Sequence, residues 1–455
     1  MINIPDGAAY ILEKLRQAGY EAWVVGGCVR DSIMGREPDD WDITTSALPE
    51  QTKSLFKRTI DTGIKHGTVT VMSGKTGYEV TTYRIDGSYS DGRHPDRVTF
   101  TRSLEEDLRR RDFTINAMAY NPSQGLVDLF GGVRDLGRRL IRCVGDPGER
   151  FDEDALRMMR AVRFAAQLDF QIDPATALAV RERAGNLSRV SAERIRTELV
   201  KLICSDHPQL ISLACDMGIT EVILPEFDRM RGVSQHTANH IYDVEKHTTL
   251  TMENIDPDPV LRMTMLMHDM GKPDVRKTRS DGRDIFYGHP EASARHAEEI
   301  MRRLKFDNHS REKAVRLVRW HGLKYFPRQA SVRRALNRVG DDIFEDFIKV
   351  QRADILGKNP SIIPGKLDLL SQKEAVYRKV LREGQCYKTS SLDINGSDLI
   401  RAGIRPGPLF GAILEKLTER VIDDQSLNDK KILLKLAMQL KEDPNVFSPL
   451  ENFKM

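Results

Sequence analysis

The chain has 455 residues, too many for one ordinary domain, and 40% are hydrophobic, enough for packed cores. Charges nearly cancel, 70 Lys+Arg against 67 Asp+Glu for a net of +3, so the average neither demands nor excludes basic faces for nucleic acid. Five cysteines without a C-x-x-C pair argue for a reducing cytosol, residues 1–22 lack the apolar core of a secretory signal, and no run approaches the roughly 20 apolar residues of a membrane span.

Residues 21–27 (EAWVVGG) read as a short apolar strand ended by a glycine pair. Residues 67–72 and 78–83 are β-rich runs separated by a glycine-containing turn, the pattern of a hairpin. The pattern turns helical after Arg102, with a dense charged stretch at 105–111, and short strands return at 117–120 and 126–128. Beyond about residue 150 the periodicity is helical, as at 152–167, 174–184, 192–202 and 257–270. The expected class is therefore α+β: a small head with a mixed or antiparallel sheet, then a long helical body.

Gly26, Gly27 and Arg30 follow the first strand and open a helix. Glycines there let backbone N–H groups approach a phosphate, and the arginine adds a charge, although such a pair also serves as a plain turn. Next comes Asp40-Trp41-Asp42. In an extended strand these two acids project from one face, a costly arrangement unless a cation such as Mg²⁺ lies between them. A D-x-D by itself is equally a solvated acidic turn.

Residues 152–164 (DEDALRMMRAVRF) read as one helix with Asp154 and Arg157 as i, i+3 neighbours, and Arg160 and Arg163 continuing the step. C and A share an exocyclic amino donor beside a bare ring nitrogen, whereas U and G present a carbonyl beside an N–H. A carboxylate with a guanidinium complements the first pair and leaves buried groups unpaired against the second. The bland alternative is a surface salt bridge.

Together these motifs resemble the polymerase-β-like nucleotidyltransferases, and more narrowly the bacterial class II family of CCA-adding enzymes and poly(A) polymerases. The resemblance implies that Asp40 and Asp42 hold catalytic Mg²⁺, that Gly27, Arg30 and Arg111 contact the nucleotide, and that Asp154 and Arg157 pair with the base, assisted by Arg160 and Arg163. Glu79 is a candidate third carboxylate, and equally reads as a solvent-facing strand residue. It implies a reaction of the tRNA 3′ end with CTP and ATP, with poly(A) synthesis as the alternative. Residues 109–119 (RRRDFTINAMA) match a further family motif, in which Asp112 and Asn116 order the sugar and the loop. Residues 86–95 resemble the family's flexible loop, 189–199 a helix bracing the base-reading helix, and 395–411 a helix–turn–helix of the tRNA-binding tail.

His247, His268-Asp269 and Asp354, with His289 and His321 between them, occur in the order of the HD metal-dependent phosphohydrolases, and residues 268–273 (HDMGKP) resemble their signature. This implies a second divalent metal, in either a working phosphohydrolase or a helical spacer; the former leaves open a phosphohydrolase with a nucleotide-binding head. His236, His240 and His296 read as structural. The implied organisation is a nucleotidyltransferase head at 1–146, a neck at 147–225, an HD-type domain at 226–360 and a tail at 361–455.

Overall fold

The structure, a computed structural model, describes residues 2–86, 98–235, 241–443 and 446–447. Most of the glycine-rich segment, His236, His240 and the last residues lie outside that set. The chain divides into two compact units, Met1–Arg229 with Arg302–Phe306, and Met230–Met301 with Asp307–Met455.

The first unit begins with α1 (Asp6–Gln17), whose Ala8, Ile11, Leu12 and Leu15 form the one buried stripe of an amphipathic helix. Then come β1 (Ala22–Val25), α2 (Gly27–Ile33), β2 (Ile43–Thr45), α3 (Pro49–Leu55), β3 (Thr59–Gly63), β4 (Thr68–Ser73) and β5 (Thr76–Thr82). A small ladder pairs β6 (Arg84–Asp86) with β7 (Val98–Phe100), followed by α4 (Leu104–Arg109), β8 (Met118–Asn121), β9 (Gly125–Asp128) and α5 (Gly132–Gly137). Seven strands make one mixed sheet in the order β3-β4-β5-β2-β1-β8-β9, antiparallel throughout except where β2 runs parallel to β5.

That parallel pair positions the acids. Ile43 stands opposite Val80, and both are buried, so the residues one step earlier, Asp42 and Glu79, are level with each other and point to the other face. On that face Trp23, Val25, Tyr83 and Ala119 pack against Leu108 of α4. The expected hairpin is present as β4–β5, and the strands expected at 21–27, 117–120 and 126–128 are β1, β8 and β9.

After β10 (Leu140–Ile141) the unit becomes helical, with α6 (Pro147–Glu153), α7 (Leu156–Leu168), β11 (Gln171–Ile172), α8 (Pro174–Arg183), α9 (Ala192–Ile203) and the short α10 (Ile211–Asp216), α11 (Ile219–Ile223) and α12 (Pro225–Asp228). Two-residue β10 and β11 pair in parallel. Helix α7 is buried around most of its circumference and packs along α9.

Among its described residues, the second unit is helical apart from a two-residue ladder of β12 (Lys277–Thr278) with β13 (Asp284–Ile285). Its helices are α13 (Val244–Glu253), α14 (Pro259–Met267), α15 (Lys272–Val275), α16 (His289–Arg303), α17 (Asn308–Trp320), α18 (Gln329–Val339), α19 (Phe344–Leu356), α20 (Ile363–Arg382), α21 (Gly396–Arg401), α22 (Pro408–Asp423) and α23 (Lys430–Lys441). The expected helix–turn–helix of 395–411 is α21, a turn with Gly403 and Gly407 at positive φ, and α22. Leu399, Ile413, Leu417 and Leu433 close a core beneath it.

Candidate functional site

The glycine pair joins β1 to α2. Gly26 has φ +82, which L-residues with a Cβ rarely adopt, and a Cβ there would meet the Arg111 guanidinium at 3.0 Å. The turn therefore needs glycine and holds Arg111 against the backbone. Arg111 is paired only loosely, 3.6 Å from Asp107, and its buried Nε–H has no hydrogen-bond partner. An orphaned guanidinium donor beside a glycine turn suits an anion.

Asp40 and Asp42 do not sit in a strand, contrary to the expectation from the sequence. They precede β2, whose first residue is Ile43. The reason lies next door: the Val25 N–H reaches the Asp42 carbonyl at 3.0 Å, and Gly26 then turns away, so nothing remains for residues 40 and 41 to pair with. The acids nonetheless act on one another. Loss of solvent raises the Asp42 carboxyl, Arg111 pulls it back, and Asp40 raises it further. The Glu79 carboxyl is also raised, by desolvation and then by Asp42 and Asp40. Glu79 thus lies within the electrostatic reach of Asp42 and Asp40. The three carboxylates are not all drawn within 4.8 Å of each other, unlike the histidine clusters described below.

Arg30 is committed locally, with a bidentate grip on Asp31 at 2.8–2.9 Å and a 2.7 Å bond to the Asn116 side-chain oxygen. It also lies over the Phe164 ring, 5.2 Å from the centroid, as do Arg160 at 5.3 Å and Arg163 at 3.9 Å. Asp107, one acid among several in its charged stretch, is fully buried and accepts from Thr44 of β2 at 3.0 Å and from Arg110 at 2.8 and 3.0 Å. One carboxylate therefore ties α4 to the strand that follows the acid pair.

The segment at 152–164 differs from the expected continuous helix. Asp154 has extended backbone (φ −144, ψ 101) and separates α6 from α7. Its Oδ1 accepts the Leu156 N–H at 3.1 Å, the local bond that makes aspartate a helix starter rather than an interior residue. Its Oδ2 accepts from Arg194 of α9 at 2.7 Å. Arg157 does not bond Asp154; it donates to the Arg150 and Arg110 carbonyls, both at 3.0 Å, and to Glu153 at 2.5 Å. Arg160 bonds Asp112 at 2.8 Å, and Arg163 bonds Glu198 of α9 at 2.5 Å. The helix at 189–199 braces α7 as expected, through the two ion pairs Arg194–Asp154 and Arg163–Glu198. Glu198 and Glu153 were not singled out from sequence, because a glutamate on a charged helix carries no mark of its burial.

Burial alone would raise the Asp112 carboxyl, but the charge and hydrogen bonds of Arg160, with Arg157, hold it down at about 2. A carboxyl depressed from its unfolded value of about 3.9 contributes about 2 kcal/mol of stability above pH 4, lost as pH falls toward 2. Asp112→Asn should therefore lower the denaturation midpoint at pH 7 and narrow its gap to wild type at pH 2–3. A gap that stays constant over that range would rule this out.

In the second unit, His247 of α13, His268 and Asp269 after α14, His289 of α16, His321 after α17 and Asp354 of α19 meet in one buried pocket. His268 Nε2 lies 3.3 Å from His247 Nε2, which lies 3.2 Å from Asp354. His289 Nε2 lies 3.3 Å from His321 Nε2. Each imidazole spends its Nδ1 on a backbone carbonyl: Gly357 for His247, Met265 for His268, Phe286 for His289 and Val318 for His321, at 2.6–2.9 Å. That second bond fixes the ring and leaves Nε2 as the ligand atom. Burial, then the charges of His268 and His289, pushes His321 down to about 3. His296 instead bonds Asp274 at 2.6 Å, a structural contact as expected.

A mixed sheet with acids grouped beside a glycine turn and a partly unpaired arginine fits a nucleotidyltransferase head. Comparison with known proteins agrees: residues 22–142 match the Poly A polymerase head domain, 169–231 the probable RNA and SrmB-binding site of polymerase A, and 288–437 a tRNA nucleotidyltransferase domain 2. The chain belongs to the family of CCA-adding enzymes. It is 36% identical over 93% of its length to the CCA-adding enzyme of Levilactobacillus brevis, spanning 95% of that protein, and 37% identical over 96% to that of Limosilactobacillus fermentum, spanning 97%. Among solved structures, the Bacillus stearothermophilus CCA-adding enzyme in complex with CTP matches with a TM-score of 0.72 at 29% identity, covering 96% of this chain and 97% of that one. The Thermotoga maritima enzyme complexed with tRNA shares the fold, with a TM-score of 0.54 at 21% identity, covering 95% and 94%.

Proposed function

We propose that this protein adds C, C and A in turn to the 3′ end of tRNA, using CTP and ATP and releasing pyrophosphate. The observation that carries the reading is the acid group of Asp42, Asp40 and Glu79 under the field of Arg111, whose buried Nε–H is unpartnered. Family membership and the relatives' names support the substrates. Asp40 and Asp42, with Glu79 beside them, are the residues to hold Mg²⁺, whose charge offsets the triphosphate and favours the ionised form of the attacking hydroxyl. Mutual repulsion of these carboxylates is the fit: a cation removes it. Gly27 and Arg111 receive the triphosphate, while Arg30, locked on Asp31 and Asn116, shapes the turn. The tRNA 3′ oxygen then bonds the α-phosphorus as the bond to pyrophosphate breaks.

Asp154 and Arg157 read the incoming base, exchanging their present partners Arg194 and Glu153 for its amino group and ring nitrogen. Arg160 and Arg163 assist by holding α7 through Asp112 and Glu198. In the second unit His247, His268, Asp269 and Asp354 are the residues to hold a further divalent ion, and imidazole favours Mn, Fe or Ni over Mg there. Among the described residues no helix is long and apolar enough to cross a membrane. Substrates of this kind, tRNA and nucleoside triphosphates, support a cytoplasmic location.

The test is to incubate the protein with Mg²⁺, tRNA lacking its 3′ end and each nucleoside triphosphate, then size the product. We expect C and A incorporation ending after three nucleotides and none from UTP or GTP. A long A tail would replace the reading by poly(A) synthesis; no extension at all would overturn both.

A further inference from the structure

We propose that the cavity bounded by α4, α6 and β6 in the first unit seats the last nucleotide of the RNA strand being extended, with Arg150 as its phosphate contact. The proposal rests on the tRNA-extending reading above and names a subsite for it.

The cavity has a volume of about 420 Å³, and Ile85, Glu105, Glu106, Arg109, Arg150 and Glu153 stand on its walls. That volume falls in the range of sites for small molecules, ~300–1,000 Å³, and suits one nucleotide rather than a duplex. Helix periodicity builds the walls. On α4, residues 105, 106 and 109 share a face, while Asp107, which bonds Thr44 of β2, points the other way. On α6, Arg150 and Glu153 are three residues apart and so lie on one face. Helix α4 is therefore a partition, with the strand that follows the acid pair on one side and the cavity on the other.

The charges select the ligand. Each acid on the walls is already engaged: Glu105 with Arg109 at 2.5 Å, Glu106 with the Thr101 hydroxyl, and Glu153 with both Arg150 and Arg157. A guanidinium carries five N–H donors, more than one carboxylate can use. The surplus on the walls is thus donor. Arg150 shows it directly, since its Nε–H is buried and has no hydrogen-bond partner. Surplus donors among balanced charges suit a singly charged phosphodiester and its ribose. The more highly charged triphosphate has Arg111 at the Gly26 turn. Ile85, part-exposed beside these groups, offers a base an apolar surface.

Position decides which nucleotide. Arg157, the reader of the incoming base, donates to the backbone carbonyls of Arg110 and Arg150, both at 3.0 Å. The residues that wall the cavity are thus the ones that carry the base reader. In a growing strand the last base and the incoming base are neighbours, so the seats of the two must adjoin, as they do here.

The experiment measures KM for tRNA lacking its 3′ end and KM for CTP separately, with Mg²⁺, on the full chain and on Arg150→Ala, Arg150→Lys and Ile85→Trp, with a melting curve of each. We expect Arg150→Ala to raise KM for tRNA about tenfold and to leave KM for CTP within about twofold. Arg150→Lys should recover part of the loss. Ile85→Trp, which adds bulk and removes no charge, should act like Arg150→Ala. Both KM values rising together would make Arg150 a prop of the base reader and overturn the subsite. A KM for tRNA within about twofold of wild type in the folded variants would overturn it too. The wild type decides where a variant does not fold: tRNA ending in photoreactive 4-thiouridine should crosslink to Ile85 or within residues 103–110 or 147–153, and crosslinks confined to other segments would overturn the subsite. Failure of the wild type to extend tRNA would instead overturn the reading on which the subsite rests.

Discussion

Asp42→Ala is expected to reduce nucleotide incorporation by about 10³-fold or more, because the carboxylates that hold a catalytic metal are asked for several kcal/mol of transition-state stabilisation. The same substitution should not unfold the protein. Asp42 is exposed, and its carboxyl is raised by loss of solvent, lowered by Arg111 and raised again by Asp40, so removing the side chain should cost little stability. The backbone carbonyl that receives the Val25 N–H is retained. Asp42→Asn, which keeps the shape and deletes the charge, should lose as much activity as alanine. Glu79→Gln should lose less, since Glu79 borders the pair from the next strand. Single-turnover extension of tRNA, with melting curves of each variant, separates chemistry from folding. Asp42→Ala with activity within tenfold of wild type would remove the acid group from the chemistry.

The second large effect is on stability. Arg163 and Glu198 are both more than nine-tenths buried and bonded at 2.5 Å. Deleting one partner leaves the other as an uncompensated buried charge, a loss of about 3–5 kcal/mol. In a unit of this size that lowers the midpoint of thermal unfolding by roughly 10 °C. Glu198→Ala should show this loss, and Glu198→Leu with Arg163→Met should recover most of it, since apolar groups of similar volume replace such pairs at little cost. A Glu198→Ala midpoint within 2 °C of wild type would show that the pair does not hold α7 to α9.

Much of this was legible in the sequence because it is local. The hairpin of β4 and β5 follows from two β-rich runs around a glycine turn, and the HD-type residues from an order of chemically distinctive side chains. The errors have physical reasons too. Residues 40–42 look extended, but a strand needs a neighbour, and the turn at Gly26 takes β1 away before Asp40 can pair. Residues 152–167 keep helical periodicity across a break, because a single extended residue at Asp154 shifts the apolar pattern too little to disturb it. Asp107 and Glu198 were invisible because burial of a charge depends on which helix arrives opposite. Thr44, 63 residues upstream, donates to Asp107 and ties it into the head.

Asp107 also sets a limit on how this head can change. Its carboxylate anchors α4 to the strand behind the acid pair, and the same helix leads into Arg111. The acid pair and Arg111 are therefore linked through the Asp107 carboxylate. A substitution that loosens the triphosphate side by shifting α4 drags the acidic side with it. Changes that spare both must then come from residues that hang on neither, and engineering would find the tolerant positions around Asp154 and Arg157 instead.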